Sequence, residues 1–156
     1  MMRKLFVFLL LSIAVSGMAE TIRDVFKAMP DSLMPYLTTN NRLDMIDFMD
    51  AKMKAEVTNK LDGESEMLFL SDDSLSIKMS DALTLELKVE KLSTPLPHNV
   101  GATHVLRMKR VYHVSHDRTE TILTSYDTKS WKVLSTVVLS STLQRRDEEI
   151  NNKKQI

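Results

Sequence analysis

The chain has 156 residues, with 21 basic and 21 acidic side chains and a formal net charge of zero. That balance argues against a nucleic-acid partner, because binding through phosphate contacts needs a basic excess. The lack of cysteine removes disulfides, thiolate nucleophiles and Cys-ligated metals, and three isolated glycines (Gly17, Gly63, Gly101) exclude a P-loop or a GxGxxG turn.

Residues 1–19 have the three parts of a secretory signal. Arg3 and Lys4 give a basic start, residues 5–15 an apolar run broken by Ser12, and Gly17 and Ala19 the small residues that a signal peptidase reads. The run of about 11 residues is short of the roughly 20 that cross a bilayer. Cleavage after Ala19 is therefore expected, leaving no transmembrane span. It removes two of the 21 basic residues, so 19 face 21 acidic ones. The predicted destination is the periplasm or the exterior of a bacterial cell.

Thr21 and Asp24 have the spacing of a capping box, and Ile22, Val25, Phe26 and Met29 follow at helical intervals. Pro30 and Pro35 bracket a helix end and a bend. Asn40 and Asn41 are expected to cap a second helix over 42–54. Met45, Ile46, Met49 and Met53 share an arc of about 100° there, the width of a core-facing stripe. Asp50 and Lys54 stand at the i,i+4 spacing of an ion pair.

From Glu64 the period changes to two. Strands are predicted over 66–70, 75–80, 83–89, 104–114 and 122–126. A sixth carries Trp131, Val133, Val137 and Leu139 on one side. Pro95 and Pro97 mark a loop over 93–101. Short connections imply antiparallel neighbours in a meander. The fold class predicted is α+β: two N-terminal helices packed on one face of a sheet of about six strands. Residues 20–143 form one domain, between the signal and a polar tail over 144–156.

Few residue groups could carry chemistry. Met45, Met49 and Met53 would suit soft Cu(I), but their place on the apolar arc points to core packing. His113, His116 and Asp117 are the weak metal candidates. A zinc site needs three or four converging ligands, which this spacing alone does not supply, so neither a metal nor another cofactor is expected. His98 and His104 flank the proline loop. Ser115, His116 and Asp117 are contiguous, the wrong arrangement for a catalytic triad. Asp44, Asp47 and Asp50 read as a solvated helix face, and Asp72-Asp73 as a turn. Arg107, Lys109, Arg110 and Arg118 make the fourth strand and its turn basic. Cross-strand pairing with Glu86 and Glu90 is expected, and these four cations are the candidate partner-binding residues.

Several segments carry a family resemblance. They are Phe26-Lys27-Ala28-Met29-Pro30, Asn41-Arg42-Leu43-Asp44-Met45-Ile46-Asp47, Gly63-Glu64-Ser65-Glu66, Leu70-Ser71-Asp72-Asp73 and 127–134 with Trp131. With the leader, they resemble an uncharacterised exported family of Bacteroides-type gut bacteria, the domain of unknown function 3256. The similarity covers most of 21–134. It implies export and a bacterial source, and no activity or site residue.

The reading these observations favour is a non-enzymatic, exported cell-envelope module. It would bind a protein or an envelope component through the exposed sheet face or a free sheet edge. One alternative is a hydrolase or metal-dependent enzyme whose site assembles only in three dimensions. A second is a carrier of soft metal or apolar ligand at the methionine-rich helix–sheet interface.

Overall fold

The computed structural model describes residues 20–94, 103–116 and 118–142. The predicted signal over 1–19, His98 with most of the proline loop, Asp117 and the polar tail over 144–156 lie outside them.

Helix α1 spans Ile22–Ala28 and helix α2 Thr39–Asp50, with a single 3-10 turn at Asp31–Leu33 between them. Seven strands follow: β1 Ala55–Thr58, β2 Glu64–Leu70, β3 Ser74–Ser80, β4 Leu83–Lys91, β5 His104–Ser115, β6 Arg118–Asp127 and β7 Val133–Thr142. Each pairs antiparallel with the next, in the order β1 to β7, so the sheet is a meander. The α+β class and the antiparallel order agree with the sequence reading, but the count is seven rather than six. The added strand is β1. Its four residues are too few to display a period, and pairing with β2 is what makes them a strand.

Both helices begin on capping boxes, which satisfy amides that have no partner within the helix. Thr21 Oγ1 accepts from the Asp24 N–H at 3.2 Å, as its spacing predicts. The second box is at Thr38, not Asn40: Thr38 Oγ1 accepts from the Asn41 N–H at 3.1 Å, and Asn41 Oδ1 accepts from the Thr38 N–H at 3.0 Å. Helix α2 therefore starts three residues earlier than expected. It stops at Asp50, because Lys52 turns the chain at a φ of 55°.

This shift changes the buried stripe. Met53 falls beyond the helix and is 59% exposed, while Arg42, Met45 and Ile46 are the buried residues of α2, at i, i+3 and i+4. The expected Asp50–Lys54 pair is also replaced. Asp50 binds Arg23 at 2.8 Å, and Lys54 binds Glu56 on β1.

Arg42 is fully buried. Its Nη2 donates to the Met29 carbonyl at 2.6 Å and to Thr39 Oγ1 at 3.2 Å; its Nη1 donates to Asp31 Oδ1 at 2.8 Å and to the Leu37 carbonyl at 3.4 Å. The guanidinium also lies over the Phe26 ring, 5.9 Å from its centroid. One side chain thus gathers the end of α1, the 3-10 turn, the loop before α2 and the first turn of α2.

A single buried cluster contains Ile22, Val25 and Phe26 of α1, Met45 and Ile46 of α2, and sheet residues including Met67, Ile77, Leu85, Leu87, Leu106 and Met108. Most of these sheet residues alternate with polar ones, and they define a buried face. The other, open face displays Ser76, Glu86 and Lys109. Among the described residues no helix is long and apolar enough to cross a membrane.

Replacing Arg42 by Leu should remove a side chain that donates to two buried carbonyls and cost about 2–4 kcal/mol, read as a lowered urea midpoint. The Arg42 guanidinium also holds the Asp31 carboxyl below its usual range. A folded pKa below the unfolded one contributes stability that is full above the ordinary carboxylate range and is lost as pH falls through the folded value. Urea midpoints measured against pH should therefore drop on the acid side, and the drop should be smaller in Asp31→Asn.

Candidate functional site

The open face can be followed strand by strand. Cα pairing places Phe69, Ser76, Glu86, Lys109, Leu123 and Val137 in one transverse row from β2 to β7. The neighbouring row is Ser74, Lys88, Arg107, Ser125 and Ser135. Between these rows lies a groove of about 490 Å³, with Phe69 and Leu123 among its apolar residues and Lys88, Arg107 and Lys109 as its cations.

Phe69 is in the groove because β2 is irregular. The register shifts between Met67 and Phe69, so Leu68 is an extra residue, and both Leu68 and Phe69 are about half exposed. The unbroken series Met67, Leu68, Phe69 and Leu70 was the one available sign of a bulge, because it violates a period of two.

The expected cross-strand ion pairs form. Lys109 Nζ lies 3.1 Å from each carboxylate oxygen of Glu86, its direct partner across β4 and β5. Arg107 Nε donates to Glu90 Oε2 at 2.5 Å, and Lys88 approaches the other Glu90 oxygen at 3.6 Å. The Arg107 hydrogen bond holds Glu90 below the usual carboxylate range. Three cations therefore meet two carboxylates. Such exposed pairs contribute only about 0–1 kcal/mol each, so an incoming anion can take over a cation at little cost to the fold.

The four candidate cations do not form one cluster. Arg107 and Lys109 differ by two and share the open face. Arg110 has the opposite parity; it stands in register with Leu85 and Ile122, and its Nη2 reaches Tyr126 Oη at 3.5 Å. Arg118 begins β6 and pairs with Glu120 on the same strand.

His113 lies on the open face, its Nε2 3.4 Å from Thr84 Oγ1 and its N–H donating to the Ala82 carbonyl at 2.8 Å. His116 is exposed in the turn after β5, and its neighbour Asp117 lies outside the described residues. Among the described residues no group of three His, Asp or Glu side chains is placed to hold a metal. The methionine stripe ends short: Met45 is sealed in the core, Met49 is half-buried and Met53 is exposed.

A second polar cluster was missed in the sequence. Glu20 Oε2 accepts from Thr128 Oγ1 at 2.7 Å and lies 3.5 Å from His104 Nδ1. Beside it, Asp127 organises the β6–β7 turn, taking the Lys129 N–H at 3.1 Å and the Ser130 hydroxyl at 2.5 Å. Burial raises the Asp127 pKa, but these hydrogen bonds outweigh it and hold the carboxyl below its usual range. This arrangement is a satisfied turn. The separation of 108 residues between Glu20 and Thr128 hid their meeting from any local pattern.

A protein-family model matches residues 14–154, which is most of the chain. The chain belongs to the family described as Protein of unknown function (DUF3256). Neither the curated proteins nor the solved structures gave a match. Membership in DUF3256 agrees with the family that the sequence resembles and assigns no reaction to the groove.

Two substitutions separate turn from groove. Asp127→Ala should lower stability by about 1–2 kcal/mol through the lost turn hydrogen bonds. Lys109→Ala should change it by less than about 1 kcal/mol, as expected of an exposed ion pair. Chemical denaturation of both variants checks the contrast.

Proposed function

We propose that the protein is an exported binding module of a bacterial cell envelope, without enzymatic activity, that takes its partner on the open face of the sheet. In this reading the two helices pack on the buried face and leave the other free. The observation that carries it is the groove: half-exposed Phe69 and partly buried Leu123 beside Lys88, Arg107 and Lys109. Apolar surface with a small cationic excess suits an anionic partner that also has apolar parts, either a protein segment or an envelope component. Arg107 and Lys109 are its contacts from the original set of four, while Arg110 and Arg118 lie outside the groove lining. Export rests on the leader pattern of residues 1–19, and the Bacteroides-type source on the resemblance.

Binding is tested by affinity capture from the native cell with wild-type protein and with Phe69→Ser/Lys109→Glu. The wild type should recover a partner that the folded variant loses. Recovery of no partner, together with hydrolysis of a test substrate that disappears in His113→Ala, would overturn the reading. Export is tested separately: N-terminal sequencing of the protein from the cell exterior or periplasm should begin at Glu20, and retention of the intact precursor inside the cell refutes it.

A further inference from the structure

Among the described residues, strand β7 forms one edge of the sheet. Its sequence, VLSTVVLSST, contains no charge, proline or glycine. Exposed edges are ordinarily guarded by such residues, because unpaired backbone groups recruit other strands. The opposite edge, β1, is guarded by its length of four residues and by Glu56. On β7, Val137, Val138 and Leu139 are exposed in succession, at 47%, 63% and 55%. Neither helix shields this end: α2 lies against β1 and β2, and α1 against β4.

The strand is also nearly a chemical palindrome. About Val138, Val137 mirrors Leu139, Thr136 mirrors Ser140 and Ser135 mirrors Ser141. Residues directly opposite in an antiparallel pair share a face, so a twofold axis perpendicular to the sheet allows only registers displaced by whole residue centres. Centring on Val138 sets aliphatic against aliphatic and hydroxyl residue against hydroxyl residue. Centring on Val137 sets Thr136 against Val138 and Ser135 against Leu139, and centring on Leu139 sets Val138 against Ser140. Only one register is self-complementary, and an isologous interface requires that property.

We propose that the protein forms a twofold dimer by antiparallel pairing of two β7 strands about Val138, joining two seven-stranded sheets into one. The ladder runs over 135–141, about 20 Å. It stops at Leu134, the extra residue where the β6–β7 register shifts. Because the axis is perpendicular to the sheet, both open faces point the same way, and the dimer presents two grooves on one surface. This inference stands independently of what the groove binds.

Sedimentation of the purified protein should give twice the monomer mass at high concentration. Val138→Lys sets two ammonium groups opposite each other and should give a monomer with unchanged circular dichroism. In a chain without cysteine, Val138→Cys meets its own copy and should form a disulfide-linked dimer on mild oxidation. Ser135→Cys, placed opposite Ser141, should not. A monomer at every concentration overturns the proposal, including one whose β7 amides resist hydrogen exchange because residues 143–156 cover the edge. A dimer that survives Val138→Lys and does not cross-link through Val138→Cys places the contact elsewhere, and also overturns it.

Discussion

The burial of the Arg42 guanidinium holds the helical region of the chain, from α1 to α2, together. Removing such an ion from water costs several kcal/mol, and only good geometry and further hydrogen bonds offset that cost. Here the offset comes from two carbonyls, one carboxylate and one hydroxyl. Those acceptors belong to stretches that could not hold each other by regular backbone pairing. Met29 closes α1, a seven-residue helix too short to persist alone, and Leu37 lies in the loop before α2. The Arg42 Nε is the one buried side-chain polar atom without a hydrogen-bond partner among the described residues. The arrangement therefore sacrifices one donor to fix the course of the chain through four segments.

The sheet shares its buried cluster with this region and depends on its own parity for its chemistry. Leu75, Ile77, Leu85 and Leu87 enter the same cluster as the helical residues. Their neighbours Ser76, Glu86 and Lys88 are forced onto the other side by the pleat. One alternation thus builds both the core and the groove. Irregularities then adjust the result: the bulge in β2 brings Phe69 to the open face, and the shift near Leu134 sets where β7 becomes regular.

How far the sequence could be read follows the range of the interactions. Strands β3 and β4 were legible because seven to nine residues alternate without interruption. The meander was legible because most of its connections are short. Strand β1 was not, because its identity depends on β2. The burial of Arg42 was not legible, since nothing local shows that Met29 and Asp31 return to it. The cations of β5 were grouped by closeness in sequence, whereas a period of two separates Arg107 and Lys109 from Arg110. The ion pairs with Glu86 and Glu90 were legible because opposite charges on adjacent strands need only a register, and the alternation supplied it. The Glu20–Thr128 contact depended on the whole fold.

The chain has one tryptophan, Trp131, in the turn that Asp127 ties together, held at a φ of 57° and packed half-buried against the core. Bulky residues rarely accept that backbone conformation, so packing must compensate locally. The protein consequently carries its own optical gauge. Indole emission shifts when water reaches the ring, and with no second indole the colour of that light reports the hinge between the last two ribbons of the sheet.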